Sequence, residues 1–455
     1  MNNMIDRRDF MRSTAIAGAG LMLSQHAFGQ EAGKKKDDIY VAMIGAGAQG
    51  QVLMDAILKL GKDSGIKFRA VCDIWAEGNL KRVSRTLSAY KRYGHMGTPY
   101  EDYRELLDKE KDLDAAIVAT PDFWHAEHAI ACLKKGLHVY CEKEMSNNLD
   151  DAKKMVQTAK ETGKLLQIGH QRRSNPRYIY CYEKIIREAK LLNRITNISG
   201  QWHRSRAACV DLGWPKGTEI PQATLEKYGF KSMEQFRNWR WYKGLGGGPI
   251  VDLGSHQIDV YSWFLDHALP TSVMASGGTD YWKDHEWYDN AIAIFEFPTS
   301  QGLVRATYQT LTTNSSNGYY ELFMGDEGTL LISESSARGD LYREIWVEEA
   351  KWDPFVKKGL INLVKAPPKP TEKKPEDEAV DVRESPVPAL YGLPITMKDP
   401  YHQPHLVNFF ESVRGKQKLN CPGEIGYETA VMVLKVNEAI AAGRKLEFKP
   451  EDFKA

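Results

Sequence analysis

From Ile39 the chain alternates short, wholly apolar runs with stretches in which apolar positions recur every three or four residues. The runs Ile39–Ile44, Phe68–Cys72, Ala115–Ala119, Leu137–Cys141 and Leu165–Ile168 predict strands buried on both faces. The stretches Gln51–Leu60, His125–Lys135 and Asp150–Glu161 predict helices between them. Apolar strands separated by helices point to a parallel, doubly wound sheet, because each crossover helix covers one of its faces.

After about Gln171 the rhythm changes. Longer, half-polar strands are expected at Arg194–His203, Thr271–Gly277, Ala291–Phe297, Leu303–Leu311, Glu321–Met324 and Tyr342–Glu348, with turn signals such as Gly325-Asp326-Glu327-Gly328 between them. That alternation suits a mostly antiparallel open sheet with helices on one face. Residues 365–389, rich in Pro, Lys and Glu, read as an extended surface segment, and helical periodicity returns at His405–Val413 and Tyr427–Ala442. The expected architecture is therefore α/β: a Rossmann-type doubly wound domain over residues 37–171, then an α+β domain over residues 172–455. The second would include the helical tail.

Composition narrows the classes. The 455 residues carry 61 Lys plus Arg against 60 Asp plus Glu, a net charge of +1 that offers no basic face for nucleic acid. With 42% apolar and 10% aromatic residues, the chain has enough to build packed cores. No uncharged apolar run reaches the roughly 18 residues a membrane-spanning helix needs. Six cysteines (Cys72, Cys132, Cys141, Cys181, Cys209, Cys421) form no CxxC pair, which speaks against a zinc ribbon or a disulfide framework.

Residues 1–36 read as an address rather than as part of the fold. Arg7 and Arg8 lie in DRRDFMR, followed by the small-residue stretch STAIAGAGLML and a possible cleavage point after Ala27-Phe28-Gly29. The pattern resembles a twin-arginine export signal and lacks the periodicity of a surface helix. Export to the periplasm or beyond by this route would deliver a folded protein with its cofactor already inserted.

Candidate chemistry lies at strand ends. The first strand runs through Gly45, Gly47, Ala48, Gln49 and Gly50, the spacing GxGxxG, directly into a helix. Such glycines permit a tight turn and close approach of a pyrophosphate to the helix N-terminus. The second strand ends in Asp73, placed for the 2′-hydroxyl of an adenosine ribose, so NAD is expected over NADP. The third gives Thr120 and Pro121, then His125 and His128 at a helix start. These two imidazoles could share a metal, but a place beside the cofactor crevice is the preferred reading and no metal is expected.

The fourth strand ends in Glu142 and Lys143, where an ammonium can meet a substrate hydroxyl. In GGGPIVDLGSHQID, Asp252 and His256 stand one helical turn apart, so the carboxylate is expected to fix the imidazole's tautomer and raise its basicity. Of the many aromatic residues, Trp239, Trp241 and Tyr242 are candidates for stacking on a sugar, since they precede the glycine run.

GAGAQG, ATPDFWHAEHA, GLHVYCEKE, IGHQRR and GGGPIVDLGSHQID, in that order, resemble the glucose-fructose oxidoreductase, inositol dehydrogenase and rhizopine-catabolism (Gfo/Idh/MocA) family. The resemblance covers roughly residues 38–331 and the helical tail. It implies that Lys143, matching the lysine of the family's Glu-Lys-Pro motif, forms the catalytic group with Asp252 and His256. Glu144 stands where that motif has proline, so the strand exit is expected to bend differently. Export away from a cytoplasmic dinucleotide pool implies tightly bound NAD. The resemblance implies that the second domain binds substrate and joins a homodimer or homotetramer through its open sheet, with oxidation of a secondary hydroxyl of a sugar or glycoside, C3 of a glucoside in view. Some relatives are glycosidases that oxidise the sugar transiently and eliminate the aglycone, which is the alternative activity.

Overall fold

Strands β1 (Ile39–Ile44), β2 (Ile66–Cys72), β3 (Thr98–Tyr100), β4 (Ala115–Val118), β5 (His138–Cys141) and β6 (Leu166–Ile168) form one sheet in the order β3-β2-β1-β4-β5-β6. Every pairing in it is parallel. The computed structural model describes residues 37–335, 338–366 and 387–455; the Arg7-Arg8 stretch expected to act as an export signal and most of the 365–389 segment lie outside the described residues. β1 and β4 are buried along their whole length, which is why they read as unbroken apolar runs. β3 was invisible to periodicity: it has three residues, one of them Pro99, and occupies an edge, where the missing N–H costs no ladder bond.

The second sheet contains β7 (Ile195–His203), β8 (Ser272–Gly278), β9 (Asn290–Thr299), β10 (Gly302–Leu311), β11 (Tyr319–Gly325), β12 (Gly328–Ile332), β13 (Gly339–Arg343), β14 (Asn362–Lys365), β15 (Ala389–Gly392) and β16 (Leu446–Glu447). Their order is β14-β15-β13-β12-β11-β7-β10-β9-β8-β16, and only β7 with β10 is parallel among the described pairs. The strand expected at Tyr342–Glu348 is displaced. It ends at Arg343, whose guanidinium donates to the Val347 carbonyl, and the chain turns there into the helix Glu349–Lys357 that buries Trp352. β14 and β15 pair with each other at the two ends of the 365–389 segment.

Alternate residues of β9 and β10, Ala291, Ala293, Phe295 and Phe297 with Val304, Ala306 and Tyr308, turn inward against the helix Gly248–Phe264. Gly254 lets that helix lie close: a Cβ there would stand 2.8 Å from the Tyr308 ring. Every residue of the helix is buried except Asp252. The first sheet joins the second through Gly169–Asn175. Arg172 reaches Glu321 on β11 and, at 3.1 Å, Glu334, while Arg173 grips Asp259 of the buried helix at 2.8–3.0 Å. One short turn thus pins both layers of the second half.

The helical tail, grouped with the second half from the sequence, divides between the two. Helix Gly423–Ala442 packs against Gly248–Phe264 and Leu149–Thr162, but helix Gln403–Val413 returns to the first sheet. Its Leu406, Phe409 and Phe410 join a core with Met43, Ile57 and Ile117. Periodicity shows which face of a helix is apolar and not which surface it meets. All six cysteines are buried and unpaired.

Phe409→Ala should therefore weaken the first domain although it lies some 240 residues beyond that sheet's last strand. A loss of about 3–5 kcal/mol is expected for a buried phenylalanine, read as a fall in Tm. An unchanged Tm would mean that the tail helix does not cover this core.

Candidate active site

Each glycine of the first turn has a separate steric reason. Gly45 has φ +92°, and a Cβ there would lie 2.5 Å from the Ala119 carbonyl oxygen; one on Gly50 would lie 2.1 Å from the Gly45 carbonyl oxygen. These two let β1, β4 and the helix Ala48–Leu58 close on one another. Gly47 is open, with nothing nearer to its would-be Cβ than Asn79 Nδ2 at 3.9 Å. The helix starts on Gly47 without a side-chain cap, so its first-turn N–H groups are available to an anion.

Asp73 stands beside this turn. Its Oδ2 accepts from the Ala46 amide at 2.8 Å and from Asn79 at 3.2 Å, and its Oδ1 accepts from the Trp75 amide at 2.8 Å. Burial pushes this carboxyl up, against those three bonds. A carboxylate offers about four lone-pair positions, so capacity remains for a ribose hydroxyl. The open glycine, uncapped helix and adjacent acid fit a dinucleotide.

Gln49 ties the turn to its neighbours, donating to Glu142 at 3.1 Å and lying 3.0 Å from Nε2 of His402, at the start of the tail helix. Thr120 and Pro121 form the exit of β4, ahead of the helix Asp122–Lys134. His125, expected to line the cofactor, is instead buried between two carbonyl oxygens, those of Thr120 and Glu144, each 2.7 Å from a ring nitrogen. Burial lowers its pKa to about 4, and a neutral ring can donate to only one of them at a time. His125 braces the exits of β4 and β5. His128 meets Thr120 Oγ1 at 3.0 Å and stacks on Trp124. Among the described residues no group of three or more His, Cys, Asp or Glu could hold a metal ion.

Lys143 follows Glu142 and is joined to Glu144 by a cis peptide. With glutamate in place of proline, the lysine still crosses to the second half, donating to the Asp252 backbone carbonyl and lying 3.3 Å from its Oδ1. Asp252 also faces Arg240 at 3.4 Å and Arg204 at 4.0 Å. Burial would raise its carboxyl, but Lys143, Arg240 and Arg204 together hold it well below the usual carboxylate range.

The expected carboxylate–imidazole pair does not form. Asp252 turns to three cations, each a stronger partner than a neutral ring, and His256 Nδ1 has no hydrogen-bond partner among the described residues. His256 lies beside Trp202, with ring centroids 5.6 Å apart, and near His170 at 6.5 Å. Burial, then the charges of Lys143 and Arg172, depress its pKa well below the ordinary histidine value. It is held as a neutral base, and its basicity is lowered rather than raised.

The three aromatic candidates make packing contacts, with Trp239 buried and Trp241 and Tyr242 half-buried. Trp239 and Tyr242 belong to a cluster with Trp75, Tyr228 and Phe230, while Trp241 stacks on His285 at 4.6 Å and an interplanar angle of 6°. The side chain among them that meets Asp252 is Arg240. Arg204 was likewise missed. A cation inside an aromatic run next to a glycine-rich turn was the available signal for Arg240; Arg204 follows β7, just after Trp202 of the aromatic-rich stretch, and nothing local marks it.

Residues 39–170 match the family model described as "Oxidoreductase family, NAD-binding Rossmann fold", and residues 222–331 match the GFO/IDH/MocA C-terminal domain. A 4-carboxy-2-hydroxymuconate-6-semialdehyde dehydrogenase of Sphingobium sp. is 32% identical over 148 residues, 32% of this chain and 42% of that protein. The D-glucoside 3-dehydrogenase of Escherichia coli is 25% identical over 240 residues, 52% of this chain and 56% of the relative. The chain thus spans about half the length of the curated relatives it matches. In fold it resembles the WlbA dehydrogenase from Bordetella pertussis, solved with NADH and UDP-GlcNAcA, at a TM-score of 0.62 and 17% identity, covering 91% of this chain and 98% of that one. With its two halves matched in order by models that together take in more than half its residues, the chain belongs to the Gfo/Idh/MocA family of oxidoreductases.

Proposed function

We propose that the protein is an NAD-dependent dehydrogenase that oxidises a secondary hydroxyl of a sugar or glycoside, with C3 of a glucoside the first position to test. The observation that carries this reading is Lys143 crossing from the exit of β5 to the helix that bears Asp252 and His256. The glycine turn and first-turn amides would hold the dinucleotide's diphosphate, and Asp73 its ribose diol. The bound nicotinamide supplies the hydride acceptor. Lys143 donates a hydrogen bond to the reacting hydroxyl oxygen, and a ring nitrogen of His256 takes the hydroxyl proton as hydride leaves the same carbon. Asp252 holds Lys143 in place.

Tight retention of NAD and export as a folded protein belong to the same proposal. Arg7 and Arg8 support a periplasmic destination, and six buried free thiols suit a chain that folds in a reducing compartment before transport. Association into a homodimer or homotetramer is supported by exposed Met274, Ile292 and Leu303 on the neighbouring strands β8, β9 and β10.

The deciding experiment incubates the purified protein with a panel of glycosides. A keto-sugar with reduced cofactor is the expected product. A free aglycone without net reduction would establish the glycosidase alternative, and no turnover of any sugar would overturn both. The protein as isolated should release NAD on heating, detectable by enzymatic cycling. Asp73→Ala should weaken that retention and narrow the preference over NADP; a wild-type preference for NADP would contradict the role given to Asp73.

His256→Ala should leave cofactor in place and slow single-turnover hydride transfer by about 10²–10⁴-fold. Because His256 acts when neutral and its pKa is depressed, the rate should fall only as pH drops below the ordinary histidine value of about 6.5. An acid limb centred above that value would place the essential base elsewhere.

A further inference from the structure

Three cations converge where one would hold Asp252. Lys143 already meets both the backbone carbonyl and the carboxylate of this residue. Arg240 adds a guanidinium group at 3.4 Å and Arg204 another at 4.0 Å, the latter at the limit of ion-pair distance, with side chains 43% and 35% exposed. Each lies over a tryptophan: Arg240 Cζ is 4.3 Å from the Trp239 ring centroid and Arg204 Cζ is 5.5 Å from that of Trp202. Stacking of this kind holds a guanidinium plane while leaving its N–H edge free.

Among the described residues, the neighbouring acids leave the two guanidinium edges without a partner other than Asp252. Asp122 is buried behind Arg240 and Lys143, and burial lifts its carboxyl to about 7; Glu144 is also buried and lifted to about 8. His256 and His170 are kept neutral by burial. Arg172 and Arg173 are engaged by Glu321, Glu334 and Asp259. The crevice therefore holds Lys143, Arg204 and Arg240 beside Asp252, Glu142 and a partly ionised Asp122. A neutral glycoside would leave the N–H edges of the two half-exposed guanidinium groups to water.

We infer that the substrate is an acidic sugar, its carboxylate or phosphate received by the paired guanidinium edges of Arg204 and Arg240 while its hydroxyl faces Lys143 and His256. The inference rests on the dehydrogenase reading of the same crevice and names its substrate class. Two arginines that approach from different segments can form forked, charge-assisted bonds to one planar or tetrahedral anion. The acid group thereby fixes which ring carbon is presented to the cofactor.

The test uses the cofactor-loaded protein and three probes: methyl glucoside, methyl glucuronide and methyl glucoside 6-phosphate. Calorimetry gives Kd, and reduced nicotinamide in a single turnover gives the rate. At least one acidic probe should bind roughly ten- to a hundredfold more tightly than the neutral one, the range expected for hydrogen bonds between charged groups. Which acid wins separates carboxylate from phosphate.

Arg240→Gln and Arg204→Gln, checked for retained cofactor, should each reduce the acid-to-neutral Kd ratio at least about fivefold. Neutral glycoside bound and oxidised as well as both acids would overturn the inference and leave the dehydrogenase reading standing. Tighter binding of an acid without oxidation of any probe would support the inference and count against that reading. Equal weak binding of all three probes would also overturn it.

Discussion

The crevice depends on a single ion pair, Lys143 with Asp252, which ties the exit of a parallel sheet to a helix lying on an antiparallel one. The two side chains are 10% and 21% exposed, so both charges have left most of their water behind. For such a pair the Coulomb gain and the desolvation penalty are of similar size, and its value lies in geometry more than in net stability. Removing either partner leaves a charge with little solvent. The pair also decides the state of its neighbours: its ammonium helps keep His256 neutral, and its carboxylate draws in Arg204 and Arg240.

The same balance explains what could be read from residue order. β1, β4, β5 and β6 announce themselves because strands buried on both faces must be apolar, and the GxGxxG turn does so because Gly45 and Gly50 have no room for a side chain. Asp252 and His256 were also legible as positions, one turn apart on a glycine-flanked helix. Their relationship was not. Whether a carboxylate serves an imidazole or a set of cations depends on what arrives from outside the helix, and here Lys143 and Arg204 arrive from separate strand exits and Arg240 from the turn just before the helix.

Long-range packing accounts for the other differences. The segment following β7 carries Thr218 and Tyr228, whose backbone carbonyls accept from the indoles of Trp75 and Trp124 on the first domain. Lys227 adds an ion pair to Asp102 at 2.8 Å. An aromatic-rich insert that looks like a sugar platform in sequence is thus used to fasten the second half to the edge of the cofactor domain. The tail does the same from the other side, where Phe409 enters the first core and His402 touches Gln49. Neither partnership leaves a local mark, since an apolar face is the same whichever surface it covers.

The most direct test of this account is a double-mutant cycle on Lys143 and Asp252. Hydride transfer to bound NAD would be followed in a single turnover in Lys143→Ala, Asp252→Ala and the combined variant, with cofactor content measured in each. Groups that act as one unit are not independent, so the combined loss should barely exceed that of the worse single change. Losses that multiply, or a Lys143→Ala protein that retains both its cofactor and its rate, would contradict the central place given to this pair.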